Sequence, residues 1–379
     1  DITNTYINAY KADMKALNIL DNTIEPKATE NLESMKDMIS NLIKKDLAYK
    51  TNDSVYFDTS KDSLYGSISH KVSDENSIAR VEANIEKRNP SDFALWKFAK
   101  TNDVSFECSF GLGRPGWHIE CSAMIEKHLA YKEGDFQIDI HGGGADLLFP
   151  HHENEAAQTR CSSGQNLAKY WMHNGFVNID GEKMSKSLGN SFFLKDVLKS
   201  YSGEIIRFYL MSAHYRANFN FNEEDLISSK KRLDKLYRVK KRVYGMEASI
   251  VNAKFKEDLL NALNDDINTS KALSLIDEMI SNANDKLDAN AKDKNLKKEL
   301  IANILFINDI LGIGFNDAYE YFQFGIDEQT KSKIETLIEK RNEAKKVKDF
   351  ATADAVRDEL TTLEISLMDT VNGTVWEKL

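Results

Sequence analysis

The chain has 379 residues, of which 41% are hydrophobic and 29% are charged, so it can form two or three packed domains. No apolar run is long enough to span a bilayer, which predicts that a membrane is not a partner. The formal net charge of −10 means that any contact with nucleic acid needs a local basic patch. Three cysteines without a C-x-x-C pair argue against a disulfide framework and predict a reducing, cytoplasmic location.

The first 110 residues are predicted to form helices and then short strands. Apolar residues recur at helical spacing through residues 4–47, and Pro26 interrupts the pattern. Residues 48–110 contain short runs of β-forming residues between Asn, Asp, Ser and Gly turns, and the clearest runs are Val55–Phe57 and Ala94–Trp96. We therefore expect the chain to change from helix to short strands near residue 48.

A glycine-rich segment follows and predicts a nucleotide-binding type of sheet. Residues 136–140 alternate as a strand does, and the strand is expected to end in a turn that contains the three glycines 142–144. Pro150 then opens a helix that is expected to run to about Cys161. A strand, a glycine-rich turn and a helix in this order are typical of a doubly wound α/β sheet, where ligands bind at the carboxyl ends of the strands.

From about residue 223 onward the sequence predicts helices almost throughout. Glycines mark two breaks, one at Gly245 and one at Gly312–Gly314. Residues 331–364 are predicted to form a helical hairpin, and residues 372–376 a turn with a short extended tail. One face of the second helix of the hairpin is predicted to consist of four apolar residues, Phe350, Ala353, Val356 and Leu360.

A five-residue string, K-M-S-K-S at Lys183–Ser187, lies between Gly181 and Gly189. Two lysines three residues apart, small hydroxyl residues and flanking glycines suit a mobile loop that closes over an anionic phosphate chain. The same string is the signature loop of class I aminoacyl-tRNA synthetases. The alternative is a polar surface hairpin that carries lysines without a ligand.

A candidate zinc site combines His151 and Glu155, four residues apart on the predicted helix, with the earlier thiol of Cys121. An imidazole, a carboxylate and a soft thiolate can all bind one Zn²⁺. The string H-H-E-N-E is not H-E-x-x-H, so a zinc-protease interpretation fails on spacing. The alternative is an exposed polar helix face with a structural cysteine elsewhere.

Residues near this candidate site could bind small molecules. Trp117 lies one helical turn before Cys121 and could form a dry wall for a compact side chain, or could simply belong to the core. The glycines at 142–144 could bring backbone N–H groups close to a ligand, and Asp146 could accept a hydrogen bond from a ribose hydroxyl. His141 is placed at the end of the strand.

A basic stripe places eight cations within residues 230–242. These are Lys230, Lys231, Arg232, Lys235, Arg238, Lys240, Lys241 and Arg242. In an acidic protein the stripe is a candidate surface for a phosphate backbone, although an ordinary solvated helix face is the alternative.

With these motifs in view, the chain closely resembles bacterial cysteinyl-tRNA synthetases. The resemblance rests on G-R-P-G-W-H-I-E-C-S-A-M at 113–124, H-G-G-G-A-D-L-L-F-P-H-H-E-N-E at 141–155 and K-M-S-K-S-L-G-N at 183–190. It extends to residues 87–97, 211–216 and 369–376, and therefore covers essentially the whole chain.

The resemblance implies an α/β plus all-α fold: a class I Rossmann-type nucleotide-binding fold with an inserted connective region, followed by a helical anticodon-binding domain. The implied divisions are 1–110 (first half of the catalytic fold and insertion), 111–200 (second half), 201–245 (stem-contact helices), 246–325 (anticodon-binding bundle) and 326–379 (C-terminal hairpin and tail). The implied reaction is ATP-dependent ligation of L-cysteine to tRNA(Cys) through a cysteinyl-adenylate, by a monomer in the cytoplasm.

The resemblance also implies roles for individual residues. One Zn²⁺ per chain would be bound by Cys121, His151 and Glu155, and Trp117 and His141 would line the cysteine pocket. Catalytic Lys183 and Lys186 would act on ATP with its Mg²⁺, and the expected ATP-binding residues are Lys186, Gly142, Gly143, Gly144 and Asp146. The expected tRNA contacts are Lys230, Lys231, Arg232, Lys235, Arg238 and Trp376, the last by stacking on a base.

The sequence departs from the family in one respect. The first catalytic signature, an H-I-G-H-type run, and an early cysteine that serves as fourth zinc ligand are absent, and we expect the chain to begin after both, in line with Asp1 as its first residue. Two alternatives stay open: a cysteine ligase that transfers cysteine to a small amino-sugar, and a non-catalytic zinc-bearing RNA-binding module.

Overall fold

The structure is a computed structural model that describes residues 2–71, 86–100, 103–179, 182–183, 193–370 and 373–378. The helices are α1 Ile2–Ala16, α2 Leu32–Lys44, α3 Trp117–His128, α4 Glu153–Ser163, α5 Leu194–Val197, α6 Gly203–Leu210, α7 Glu223–Arg242, α8 Ala253–Asn264, α9 Thr269–Ala289, α10 Lys294–Leu311, α11 Glu328–Lys346 and α12 Phe350–Thr362. The strands are β1 Ala48–Lys50, β2 Ser54–Phe57, β3 Phe93–Phe98, β4 Gly113–Pro115, β5 Phe136–Gly144, β6 Asn166–Asn174, β7 Val177–Ile179, β8 Glu182–Lys183, β9 Phe219–Phe221, β10 Ile365–Thr370 and β11 Gly373–Lys378.

The chain divides into two compact units, which we call unit A and unit B. Unit A comprises Asn22–Phe176, and unit B comprises Asp1–Asp21 together with Val177–Leu379. Among the described residues, no helix combines the length and the apolar character that crossing a membrane requires. The five-part division of the chain is finer than these two units and stays a prediction.

The described residues of unit A form two sheets and three α-helices. An antiparallel sheet has the order β1-β2-β3-β4, and a parallel pair joins β5 to β6 through α4. The core between the antiparallel sheet and helices α2, α3 and α4 contains apolar side chains from each element, among them Met35, Ile39, Phe57, Leu95, Trp96, Ile119 and Ala157. The predicted change from helix to short strands near residue 48 is confirmed, because α2 ends at Lys44 and β1 begins at Ala48.

Strand β5 is longer than the sequence predicted. It runs through Gly144, and Gly142–Gly144 pair with Met172–Asn174 of β6 instead of forming a turn. A Cβ on Gly143 would lie 2.7 Å from the ring of His152, and a Cβ on Gly144 would lie 2.3 Å from Asp146 Oδ1. The expected glycine turn is therefore wrong. At Gly143 and Gly144 neighbouring side chains fill the space that a Cβ would need, whereas a Cβ on Gly142 would meet only the carbonyl oxygen of Met172, at 3.7 Å.

Helix α4 starts slightly later than expected. One irregular turn, Leu148–His152, precedes it, so regular helix begins at Glu153 rather than at Pro150. The helix ends at Ser163, where Gly164 adopts a left-handed φ of 85° that a glycine accommodates without strain. The strand–helix–strand order of β5, α4 and β6 confirms the predicted α/β unit.

Unit B is mainly helical. A small sheet has the order β8-β7-β9, and a core of apolar side chains joins α6 to the long helices α7–α10, with Leu233, Leu236, Leu273, Ile276 and Ile304 fully or almost fully buried. The predicted breaks are confirmed, since Gly312 caps α10 with a φ of 65° and Gly245 has a φ of 72°.

The end of unit B forms a small subdomain of its own. Helices α11 and α12 confirm the predicted hairpin, and the core beneath it contains Ile334, Val356, Leu360, Ile365 and Trp376. Phe350 is 63% exposed, so its predicted place on the packed face of α12 is wrong. The extended tail is the second strand of an antiparallel β10–β11 hairpin, whose first strand the sequence did not indicate.

Candidate metal centre

Three side chains of unit A converge on one point. Cys121 lies in α3, His151 in the turn before α4, and Glu155 in the first turn of α4, and their ligand atoms all lie within 4.8 Å of one another. His151 is 5% exposed and Glu155 is fully buried, so the alternative of an exposed polar helix face is wrong. A cluster of buried donors of three kinds is the arrangement expected for a metal centre.

Two local features bring α3 and α4 together at this point. Gly116 precedes α3 and lies so close to β3 that a Cβ would be 2.0 Å from the carbonyl oxygen of Ala94. Ser122 of α3 donates a 2.5 Å hydrogen bond to Gln158 Oε1 of α4, and both side chains are fully buried. This bond ties α3 to α4 one residue after Cys121 and three residues after Glu155, so it helps to hold the two candidate ligands beside each other.

Neighbouring histidines orient two of the three candidate ligands. His141 Nε2 lies 2.7 Å from Glu155 Oε2, and His118 Nδ1 lies 2.8 Å from His151 Nδ1. Such outer hydrogen bonds fix the tautomer and the ring orientation of metal-binding side chains. They leave His151 Nε2 and Glu155 Oε1 as the two atoms that face each other.

The other oxygen of the buried Glu155 carboxylate is suited to bind a cation. Glu155 Oε1 lies 2.8 Å from His151 Nε2, but among the described residues it has no hydrogen-bond partner of acceptable geometry. A buried carboxylate oxygen without a partner is costly, and a bound cation would satisfy it. The residues present therefore fit a zinc ion, which thiolate, imidazole and carboxylate ligands favour.

The protonation of the cluster is consistent with a cation. Burial raises the pKa of Glu155, but the imidazoles of His141 and His151 outweigh that effect and lower its pKa to about 2, so the carboxylate is ionised near neutral pH. Burial and the charge of Glu155 raise the pKa of Cys121 to about 12. The thiol therefore stays protonated near neutral pH unless a bound cation stabilises the thiolate.

A second group of donors shares Glu155 but already has partners. His141, His152 and Glu155 also lie within 4.8 Å of one another. His152 Nδ1, however, lies 2.7 Å from His173 Nε2, and His141 contacts Glu155. We therefore assign these histidines to the support of the first group.

The sequence interpretation missed His118, His152 and His173. For His118, its place three residues before Cys121 on the predicted helix was the available signal.

The structure places the other predicted small-molecule residues as follows. Trp117 is 61% exposed, with its ring centroid 4.3 Å from that of His151, so it forms a wall beside the cluster and does not belong to the core. His141 and Gly142–Gly144 lie in β5, and Asp146 follows that strand. Lys183 lies in β8, and Lys186 lies outside the described residues. Their roles toward ATP and cysteine stay predictions.

Five of the eight cations of the basic stripe on α7 are engaged within unit B. Lys230 pairs with Asp234, Arg232 with Asp277, Lys241 with Glu377 and Arg242 with Asp288, whereas Lys240 donates to the carbonyl oxygens of Gly314 and Asn316. Intramolecular partners of this kind neutralise the charge or hold the ammonium group, so these five are poorly placed for an external phosphate.

The other three cations of the stripe are exposed. Lys231, Lys235 and Arg238 have no hydrogen bond or ion pair with any residue that the structure describes, and their spacing puts them on one face of α7. Trp376 is only 6% exposed and packs in the core of the C-terminal subdomain. Its indole packs against neighbouring side chains and does not present a face to a base, so its burial contradicts the predicted stacking role.

Comparison with known proteins agrees with this architecture. A family model described as tRNA synthetases class I (C) catalytic domain matches residues 1–231, and a DALR domain model matches residues 259–316. The methionyl-tRNA synthetase of Mycobacterium tuberculosis in complex with methionyl-adenylate is similar in fold, with a TM-score of 0.57, 14% identity and coverage of 80% of this chain and 77% of that one. These matches define a class I tRNA synthetase catalytic fold followed by a DALR domain.

The relatives are more specific than the fold. The cysteine--tRNA ligase of Aliarcobacter butzleri is 82% identical over 100% of this chain and 81% of that protein. The cysteine--tRNA ligase of a Nitratiruptor species is 62% identical over 100% of this chain and 82% of that protein. The chain belongs to the cysteine--tRNA ligase family. The predicted fold class and enzyme family are thus confirmed, and the amino-sugar alternative finds no support.

Proposed function

We propose that this protein ligates L-cysteine to tRNA(Cys) at the expense of ATP, and that Cys121, His151 and Glu155 hold one zinc ion that selects the substrate thiol. The observation that carries the metal assignment is the buried oxygen of Glu155 that lacks a hydrogen-bond partner beside His151 and Cys121. Membership of the cysteine--tRNA ligase family supports the substrates.

The proposed selectivity follows from the chemistry of the donor set. When bound, zinc would supply a site for the thiolate of cysteine, for which the hydroxyl of serine is a far poorer ligand near neutral pH. Discrimination by ligand chemistry needs no separate editing reaction. The residues of the chain orient the site: His141 holds Glu155, His118 holds His151, and Trp117 covers one side of the imidazole.

The proposed activation step uses ATP with Mg²⁺. The α-carboxylate of cysteine attacks the α-phosphate, the bond to the β-phosphate breaks, and pyrophosphate leaves. We assign Lys183 and Lys186 to the charge that develops on the phosphates, since positioned cations stabilise such charge better than water does. The K-M-S-K-S string supports this role of the two lysines. We assign Gly142–Gly144 and Asp146 to the binding of ATP, and their place at the end of β5 supports that assignment.

The proposed transfer step passes cysteine from the adenylate to the terminal adenosine of tRNA, with release of AMP. Lys231, Lys235 and Arg238 are assigned to the RNA backbone, because they are the exposed cations of α7 that lack a described partner. The DALR domain and the C-terminal subdomain are assigned to the anticodon end of the tRNA. We also propose that the protein acts as a monomer in the cytoplasm.

Substitution of one cysteine tests the metal assignment. Cys121→Ser should lose zinc from the purified protein and lose cysteine-dependent ATP–pyrophosphate exchange, because a hydroxyl is a poor replacement for the thiolate. The matched control is Cys108→Ser, which alters another partly buried free cysteine of the same unit. Equal zinc content in the two variants, measured by elemental analysis, would contradict the assignment.

A further inference from the structure

Helix α4 carries two buried polar side chains that the metal centre does not use. Glu153 and Asn154 lie between His151 and Glu155 in sequence, and they are 0% and 1% exposed. A buried carboxylate and a buried amide are tolerated only where hydrogen bonds replace those made with water. Their partners therefore show what holds the first turn of the helix.

Those partners come from one segment, residues 62–69, which we call the bracing loop. Glu153 Oε2 accepts hydrogen bonds from the backbone N–H groups of Ile68 and Ser69, at 3.1 and 2.9 Å. The hydroxyl of Tyr65 donates to Asn154 Oδ1 at 2.6 Å. The bracing loop thus holds two of the three residues that lie between the candidate ligands His151 and Glu155.

The same loop is attached to α4 two turns later. Arg160 Nη2 lies 2.6 Å from Asp62 Oδ2, and their side chains are only 12% and 6% exposed. The Arg160 guanidinium also donates to the carbonyl oxygen of Leu64 at 3.3 Å. Attachment at both ends fixes the rotation of the helix about its axis, which one hydrogen bond could not do.

We propose that the bracing loop positions the metal centre, with Tyr65 and Asp62 as positioning residues that keep His151 and Glu155 turned toward Cys121. Successive helix residues differ in direction by about 100°, so a small rotation of α4 would separate the ligand atoms. Among the described residues, no hydrogen bond or ion pair joins the loop to Cys121, His151 or Glu155, so the proposed effect on zinc acts through Glu153, Asn154 and Arg160. This inference rests on the metal assignment in the proposed function.

The test compares two tyrosines of unit A. In Tyr65→Phe we expect the transfer of zinc to a chromophoric chelator to be about threefold to tenfold faster than in the wild type. Loss of a group that bonds directly to a metal ligand typically lowers metal affinity by about 10- to 100-fold, and we expect a smaller effect here because Tyr65 acts through Asn154. The KM for cysteine should rise while the KM for ATP stays constant. The control is Tyr56→Phe. Tyr65 is partly buried and Tyr56 is buried, and the hydroxyl of Tyr56 donates to a carboxylate oxygen, Asp53 Oδ2, at 3.2 Å.

The outcomes separate the inference from a purely structural role. A loss of thermal stability with unchanged zinc transfer in Tyr65→Phe would overturn the inference, as would equal acceleration in both tyrosine variants. Asp62→Asn provides the second test if Tyr65→Phe does not fold, and the same acceleration is expected from it. If the wild-type protein held no zinc, the metal assignment would be overturned together with this inference. If the wild-type protein held zinc and both Tyr65→Phe and Asp62→Asn released it at the wild-type rate, only the proposed role of the bracing loop would be overturned.

Discussion

The exposed cations of α7 allow a quantitative prediction about RNA binding. We compare a triple variant, Lys231→Ala with Lys235→Ala and Arg238→Ala, with a control triple that changes Lys230, Arg232 and Lys241 to alanine. Both variants change the net charge by the same amount. Only the first removes cations that are exposed and lack a described partner, since the control residues pair with Asp234, Asp277 and Glu377.

The expected magnitude follows from counterion release. Each phosphate contact contributes about 0.9 to the slope of log K against log salt for a duplex, so three contacts contribute about 2.7. Between 50 and 200 mM salt, the ratio of the wild-type affinity to that of the first triple variant should therefore fall by about 40-fold. The control triple should keep a slope close to that of the wild type, and it should lower thermal stability because it leaves three acidic partners unpaired.

The assay is equilibrium binding of tRNA(Cys) over a series of salt concentrations. Fluorescence anisotropy of labelled tRNA gives the dissociation constant at each concentration, and thermal unfolding without RNA reports on stability. A change of slope below about one for the first triple variant would refute the assignment of these residues to the RNA backbone. An equal change in both triples would show that overall charge, rather than the exposed face, governs binding.

Two further predictions concern the phosphate loop and the C-terminal subdomain. Lys186→Ala should slow ATP–pyrophosphate exchange by about 100-fold, because one donor that stabilises charge on the phosphates is lost. The zinc content should stay unchanged. Exchange at the wild-type rate would refute the proposed role of Lys186 in adenylate formation. Asp369 accepts hydrogen bonds from Arg341 and Lys345, which hold its pKa well below the ordinary value, so its stabilising effect is present above about pH 4 and is lost as pH falls through the lowered pKa. Asp369→Asn should therefore reduce the stability of β10–β11 near pH 7 by about 1 kcal/mol, measured by amide hydrogen exchange. Below about pH 4 the difference in stability between the variant and the wild type should become progressively smaller. A difference that stays constant down to the lowest accessible pH would contradict this origin.

Local patterns were sufficient for much of the fold. Helical spacing located α2 and the α11–α12 hairpin, and positive-φ glycines mark the predicted breaks, Gly312 as the cap of α10 and Gly245 in the turn after α7. For the zinc site, the spacing of His151 and Glu155 suggested two ligands on one helix face, and the resemblance to cysteinyl-tRNA synthetases supported Cys121, thirty residues earlier, as a third. The helices and their breaks could be predicted because the deciding interactions lie within a few residues.

The predictions that failed depended on distant partners. The glycines of β5 looked like a turn because nothing in the local sequence shows that His152 and Asp146 occupy the space beside them. The stripe on α7 looked uniformly basic because the acids that engage it are remote, with Asp277 lying 45 residues from Arg232 and Glu377 lying 136 residues from Lys241. Such pairings are set by how the chain folds back on itself, and neighbouring residues do not reveal them.

The hydrogen bond between Ser122 and Gln158 joins two uncharged side chains that are fully buried. Dissolved ions cannot screen such a bond, whereas they compete directly with exposed cations for phosphate groups. The proposed metal centre and the proposed RNA-binding face of α7 should therefore respond differently to ionic strength. In concentrated salt the protein should continue to hold zinc while its binding of tRNA weakens, so that the two properties separate in a single titration.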